Sequence, residues 1–587
     1  MMKLEQLRAE MRARGVAAYL VPRSDEHLGE YVPPEAERLA WISGFTGSAG
    51  LAVVLLDRAA LFVDGRYTIQ AAEEVNGEDW ELLHLIETPA AKWLAGALTQ
   101  GGVVGCDPML FSADQLARFE AAGLQLSRLA ENLVDVVWQD RPAPVIRPAR
   151  LHGLEYAGVS AAAKRAQIAA ILRDAGEDAA ILTDPASICW LLNIRGADVD
   201  FTPFVLAFAV VRDTGAVTLI VEPAKISSEV RAALGDEVTI VPRGDLRECL
   251  AGLAGMCVRV DAAGSPAWFG EVLREIGAEV AAGSDPCALP KACKNEVEQA
   301  GARAAHLIDA VAMCKFLHWI AGAAGESEIS AAARLREFRA EGEGFVGESF
   351  ATISAAGPHG SIVHYRVSEA GNRAIMPGDV YLLDSGGQYF SGTTDITRTI
   401  WIGDAEPPLQ VRQDYTRVLQ GHLALGSIQF PEGLAGGFLD VLARAPLWRV
   451  GLDYDHGTGH GVGSFLSVHE GPMGISRAAK PVPLQAGMII SNEPGFYPGD
   501  YGIRIENLVM VRKVEGYARK FLGFETLTLV PYDRRLIDVA MLSADEVALV
   551  DAYHRRVLDE VGVTGGARAW LEGACAGLTE LRESSSL

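Results

Sequence analysis

Asp384, Asp395, His460, Glu493 and Glu506 stand in five short, distinctive contexts, LLDSGGQY, GTTDITRT, HGTGHGVGS, SNEPGFY and IRIEN. They read as one site, so any fold of this chain must bring these separated segments to a point. The flanking residues are strand-like or Gly-rich, which predicts convergence of strands and loops with helices between them. Asp384 ends the strand-like VYLLD, and Asp395 lies eleven residues on, past a Gly-rich turn. That odd separation suits two adjacent antiparallel strands whose carboxylates meet. Either aspartate alone is as well explained as a turn or cap residue; the set of five is not.

Four carboxylates balance the four positive charges of two divalent cations. With no Cys among the candidates, the set suits a carboxylate-bridged pair of hard or borderline ions. Such a pair activates water and clamps a reacting oxygen, which is the chemistry of a metal-dependent hydrolase. His456, His460 and His469 fall within fourteen residues, and His364 stands in SIVHYR. The glycines around His456 and His460 argue against a helix despite the i, i+4 spacing. GTGHGVG lacks the ending and spacing of a phosphate loop, so its glycines are read as allowing backbone close to a metal site. Arg504 and Glu506, two apart, share one face of a strand. Glu493 precedes a proline, which favours an extended backbone there.

The chain has 587 residues, enough for several domains. Apolar residues make up 49% and charged residues 22%, as in soluble globular proteins. The net charge of −24, with no basic run, speaks against nucleic acid or a membrane surface as partner. No secretory signal or uninterrupted apolar span stands out. The eight cysteines form no CxxC pair, which fits buried thiols in a reducing cytoplasm. An α/β unit at 1–150, beginning with a helix over Leu4 to Arg14, partly repeats at 151–292. Each copy has a helix, a strand, a further run (LAWISGFTG in the first, ICWLLNIRG in the second) and a hairpin, and the first carries an insertion. Residues 293–587 open with a long helical segment and hold every candidate ligand. From Phe521 the pattern is a strand, a loop, and an amphipathic helix capped by Ser543. The Ser-rich end, ESSSL, is expected to be disordered.

These motifs carry a resemblance. LAWISGFTGSAG and FVDGRYTIQA, then SIVHYR, LLDSGGQYFSGTTDITRT, LDYDHGTGHGVGSFLSVHEGP, SNEPGFY…GIRIEN and ETLTLVPYDRRLIDV resemble, in order, the aminopeptidase P group of the pita-bread metallopeptidases in its long, three-domain form. No candidate metal position departs from that pattern. The resemblance implies an α/β (α+β) fold, with two related N-terminal creatinase-like domains before a pita-bread catalytic domain whose C-terminal extension covers about 525–587. It implies an Xaa-Pro aminopeptidase acting through a hydroxide that bridges two metals, manganese by preference, with zinc or cobalt able to substitute. Asp384 would bind one metal, Asp395 and Glu506 would bridge, and His460 and Glu493 would bind the other, Glu493 also serving as general base. His364 and His469 would contact substrate carbonyls. His456, Tyr497 and Arg504 would line or brace a proline pocket. Arg66 would reach the peptide, the alternative being a structural turn arginine. A homodimer is implied as well. The rivals are a dipeptide-cleaving prolidase, a methionine aminopeptidase and a non-catalytic peptide-binding relative of the same fold.

Overall fold

A computed structural model describes residues 2–322 and 325–578; the expected disorder of ESSSL concerns residues outside that range. The chain divides into two compact units, Met1–Gly153 with Val159–Ala288, and Leu154–Gly158 with Leu289–Leu587.

The first unit contains the repeat. In its first six-stranded sheet, Ala18–Pro22 lies at the centre. It pairs antiparallel with Leu51–Leu55 and parallel with Val103–Cys106. Leu51–Leu55 continues antiparallel to Ala59–Val63, which runs parallel to Glu81–His84, and Gln125–Arg128 closes the other edge. The second sheet has the same order and directions. Ala179–Leu182 is central, with Phe208–Arg212, Val217–Ile220 and Val238–Val241 on one side and Cys257–Val260 and Glu279–Ala282 on the other. Central strands such as Ala18–Pro22 and Ala179–Leu182 are buried throughout. That explains why they read as unbroken apolar runs: both faces of such a sheet are covered. Both hairpins expected from the sequence are present, the second turning at Gly215 with φ +89°. The N-terminal helix runs Met2–Ala13. The insertion in the first copy is the segment 23–37 between central strand and helix. The second copy has one too, 193–207, between its helix Pro185–Leu192 and the hairpin.

The second unit opens with the long helix Glu296–Gly322. Its length and mean hydropathy alone would allow it to cross a membrane, but Met313, Phe316, Leu317 and Ile320 are core residues. They pack with the helices Glu328–Ala340 and Gly565–Ala574. Its polar residues are also engaged: buried Asp309 receives the guanidinium of Arg339 at 2.7 Å. A three-stranded antiparallel sheet follows (Ile353–Ala356, Val380–Ser385, Ile396–Trp401). Beyond it lies a six-stranded sheet ordered Phe430–Pro431, Phe521–Thr526, Asn507–Val514, Ile489–Asn492, Gly459–Gly461, Glu470–Ile475. Helix Leu409–Ser427 comes between the two sheets in sequence, and helix Asp440–Trp448 follows the edge strand Phe430–Pro431. Ser543 caps the helix Ala544–Glu560, its hydroxyl accepting from the Glu546 N–H while the Glu546 side chain returns to the Ser543 N–H.

Candidate metal centre

Asp384 stands on Val380–Ser385 directly opposite Thr397 of Ile396–Trp401, and Asp395 immediately precedes the latter strand. With a side-chain period of two, Asp384, Asp395, Thr397 and Thr399 share one face. The antiparallel pair expected from the eleven-residue separation is present. Its connection is more than a turn, because Gly387–Tyr389 and Gly392–Thr393 form a hairpin that pairs with Phe345–Glu348 in a separate sheet. His460 lies on Gly459–Gly461, between Glu470–Ile475 and Ile489–Asn492. Glycines flank it because backbone runs alongside: a Cβ at Gly459 would fall 2.1 Å from the Ser491 carbonyl oxygen, and one at Gly461 2.2 Å from that of Glu470. Glu493 follows Ile489–Asn492 and donates its N–H to Thr458 O at 2.9 Å. Glu506 precedes Asn507–Val514, and its N–H donates to Thr397 O at 3.1 Å, which joins the two sheets at the centre.

The five side chains converge. His460 Nε2 is 3.5 Å from Asp395 Oδ2 and 3.6 Å from Glu493 Oε1. One ligand atom each from Asp395, His460 and Glu506 lie within 4.8 Å of one another. His460 Nδ1 lies 3.0 Å from Gly461 O; donating there leaves the Nε2 lone pair facing the carboxylates, the tautomer a metal requires. Asp384 Oδ1, Asp395 Oδ1 and Glu506 Oε1 are buried with no hydrogen-bond donor on them. Buried carboxylate oxygens without partners are costly. Burial raises the pKa of Asp384, Glu493 and Glu506, Glu506 well above the usual range, and in each case neighbouring carboxylates add to it. Burial disfavours charge on His460, but its contact with Asp395 and the charge of Glu493 prevail and lift its pKa to about 9. A self-repelling cluster with three unsatisfied oxygens and an inward-facing imidazole fits two divalent cations.

A second tier of side chains fixes the first. Buried Arg504 donates to Asp384 Oδ2 at 2.7 Å, to Thr397 Oγ1 at 3.2 Å and to the Tyr497 hydroxyl at 2.7 Å. Burial pushes the Tyr497 phenol up to about 12. Arginine only donates, so the Tyr497 O–H is free to point onward to His456 Nε2 at 2.8 Å, and His456 Nδ1 to Gly457 O at 2.7 Å. His456, Tyr497, Arg504 and Asp384 therefore form one hydrogen-bonded chain, with Arg504 donating inward to Asp384 and outward through Tyr497 to His456. The His469 ring stands edge-on to His460, centroids 4.3 Å apart. His364 lies in the loop after the turn Gly357–Ser361; its neighbours Ile362 and Val367 pack with Tyr497 around Tyr365 and Leu382. Arg66 belongs to the other unit, where its Nη2 donates to Asp64 Oδ2 at 2.7 Å and its guanidinium lies over Tyr67.

Sequence reasoning missed several supports. Thr397 Oγ1 donates to Glu506 Oε2 at 2.8 Å, and Thr399 Oγ1 exchanges bonds with the Arg504 backbone. Ser491 Oγ accepts from the His460 N–H at 3.0 Å and lies 3.3 Å from Glu493 Oε1. Arg444 stacks on Tyr454 and donates to the carbonyls of Tyr454 and His456, gripping the His456 loop. The period-two pattern TDITRT could have exposed both threonines; nothing local marks Arg444.

The comparisons with known proteins agree with this geometry. The pattern of metallopeptidase family M24 matches residues 300–513 and that of its C-terminal region 520–578. Creatinase/prolidase N-terminal domains match 3–136 and 140–298. Aminopeptidase P2 of Arabidopsis thaliana is 39% identical over 93% of this chain and 83% of its own length. A probable Xaa-Pro aminopeptidase P of Sordaria macrospora is 40% identical over 93% of both. The crystal structure of an X-prolyl aminopeptidase from Caenorhabditis elegans, described as a cytosolic enzyme with a di-nuclear active site, superposes with a TM-score of 0.93 at 34% identity. It covers 98% of this chain and 99% of that one. A dipeptidase from Mycobacterium ulcerans, at 27% identity and TM-score 0.50, covers 63% of this chain.

Proposed function

Because the chain belongs to metallopeptidase family M24, alongside the Xaa-Pro aminopeptidases, we propose that it removes the first residue from peptides whose second residue is proline. Two divalent ions at the centre, manganese by our reading, would lower the pKa of water and polarise the scissile carbonyl. Asp384, Asp395, His460, Glu493 and Glu506 would hold them. The chain's own groups do the rest. Glu493 Oε1 takes the Ser491 hydroxyl, which leaves Oε2 to accept a proton and return it to the leaving proline nitrogen. His469, against His460, and His364 would donate to the carbonyl oxygens of the bound peptide and steady the tetrahedral intermediate. Proline brings a rigid ring without an N–H, and a wall of Tyr497 and His456, locked by Arg504, suits it. Arg66 is assigned to the peptide beyond the proline.

The observation that carries this reading is the gathering of Asp395, His460 and Glu506 ligand atoms within 4.8 Å, in a cluster whose Asp384, Asp395 and Glu506 each keep a buried oxygen without a donor, in a chain aligned over its length with Xaa-Pro aminopeptidases. Mass spectrometry of an Arg-Pro-Pro-starting peptide, its Arg-Ala-Pro counterpart and an Xaa-Pro dipeptide, with metal-free and Mn²⁺-loaded protein, tests it. Release of the first arginine from the Pro peptide alone is expected. Equal cleavage of the Ala peptide would reject the proline pocket, and cleavage of the dipeptide alone would make the enzyme a prolidase.

We assign a homodimer. Val441 and Trp448, two turns apart on Asp440–Trp448, leave an exposed apolar stripe with Phe438, which supports a self-contact. A cytoplasmic setting accords with eight cysteines that form no disulfide among the described residues.

A further inference from the structure

Glu328 is the first residue of the helix Glu328–Ala340, and its side chain is 0% exposed. Four donors converge on its carboxylate. They are the N–H of Ala356 at 2.8 Å, His359 Nδ1 at 2.8 and 3.0 Å, the Tyr365 hydroxyl at 2.9 Å and the N–H of Arg373 at 3.0 Å. All four lie in one stretch, 356–373, within the connection between the strands Ile353–Ala356 and Val380–Ser385. One buried carboxylate thus ties the stretch at both ends and at two points between. Burying it without donors would be prohibitive; four donors and the helix N-terminus offset that cost.

The tethered stretch carries His364, whose next residue is the tethered Tyr365. The His359 ring stacks on Tyr365 with centroids 4.5 Å apart. On its other side the stretch meets the segment after Tyr497. Ser361 Oγ accepts from the Gly499 N–H at 2.8 Å, and Gly360 and Gly502 pack so closely that a Cβ at Gly502 would fall 1.6 Å from Gly360 O. The loop is therefore held between Glu328 and the segment that supplies Tyr497 to the Arg504–Asp384 chain. We propose that Glu328 is a positioning residue for the peptidase reaction. It touches neither substrate nor metal, and it acts by presenting His364 to the peptide carbonyl. The inference rests on the function proposed above.

The test is a double-substitution cycle on an Xaa-Pro peptide in the metal-loaded protein. Glu328→Gln keeps the shape but replaces one acceptor with a donor facing donors. It should lower kcat about tenfold or more, with KM within twofold and metal content unchanged. Glu328→Asp, which keeps both oxygens, should recover part of the loss. In a His364→Ala background the Glu328→Gln substitution should cost less than about twofold further, because its effect runs through the residue already removed. Hydrogen exchange of amides 357–373 should quicken in Glu328→Gln. If Glu328→Gln does not fold, Tyr365→Phe, which removes one tether, should give the same dependence on His364 at smaller size. Losses that multiply, or loss of metal in Glu328→Gln, would overturn the inference alone. A wild-type protein without Xaa-Pro activity, or a fully active His364→Ala, would instead overturn the functional reading and this inference with it.

Discussion

Thr397→Val should weaken metal binding without disturbing the fold. The substitution keeps the branched shape and removes one hydroxyl. That hydroxyl donates to Glu506 Oε2 at 2.8 Å and accepts from Arg504 Nε at 3.2 Å. A hydrogen bond to a charged group contributes about 1.5–3 kcal/mol. At a carboxylate assigned as a bridge, this corresponds to about 10- to 150-fold in affinity. The same range is usual for losing the outer partner of a metal ligand. The cost to folding should be smaller, because Glu506 still donates its N–H to Thr397 O through the backbone. The assay is a titration of metal-free protein with Mn²⁺ against a competing chelator, read as ions bound per chain, beside a thermal melt. An affinity within twofold of wild type would show that Thr397 does not orient Glu506. A melting temperature that falls sharply with affinity intact would assign it to packing instead.

Four further outcomes follow from named contacts. Asp395→Ala removes a proposed bridge and should leave fewer than two ions per chain by elemental analysis; retention of both would refute the ligand assignment. Glu470 is buried with Lys291 and Lys294 on its two oxygens. Burial opposes its charge, but the lysines hold its pKa below the usual value, so Glu470→Gln should cost about 3–5 kcal/mol at neutral pH. Because the folded pKa is depressed, the wild-type advantage should be full above the unfolded pKa and fade as pH falls through the folded one, in denaturant melts run down from pH 7; a pH-independent difference would contradict it. Arg66→Ala should slow hydrolysis of long peptides more than of tripeptides with metal content intact, whereas a lowered melting temperature with normal kinetics would make it the turn arginine its Asp64 contact also suits. Val441→Lys should shift sedimentation from dimer to monomer at micromolar concentration, and an unchanged dimer would move the interface elsewhere.

The proposed ligands were legible in the sequence because metal chemistry selects residue types and the contexts are local. Asp384 and Asp395 announce themselves by a strand end, a turn and a strand start. The duplicated α/β sheets were legible for a similar reason, since each copy repeats the order helix, strand, apolar run, hairpin, and the run proves to be a short helix in both. The supports were not. Glu328 reads as an acid in the first turn of a helix, an ordinary placement near a positive helix end; its four donors come from a loop 28 to 45 residues on. Arg444 reads as a surface arginine of an amphipathic helix, yet it is buried against Tyr454.

Arg398 shows why the period-two rule fails in part here. Alternation turns it away from Asp395, Thr397 and Thr399, and on a half-exposed sheet that face would be solvent. Its side chain is instead fully buried, because the C-terminal region covers it. There it donates to the carbonyls of Thr397, Glu506, Val530 and Pro531, to Asn507 Oδ1 and to the Tyr553 hydroxyl. The Tyr553 hydroxyl in turn donates to the carbonyls of Thr528 and Val530. One guanidinium thus binds the strand after Asp395, the backbone at Glu506 and the segment Thr528–Pro531. The extension beyond the catalytic sheet is therefore no appendage: through Arg398 it braces the two carboxylates assigned as bridges, and a truncation before Thr528 would strip that cation of the Val530 and Pro531 carbonyls and the Tyr553 hydroxyl, half of its acceptors.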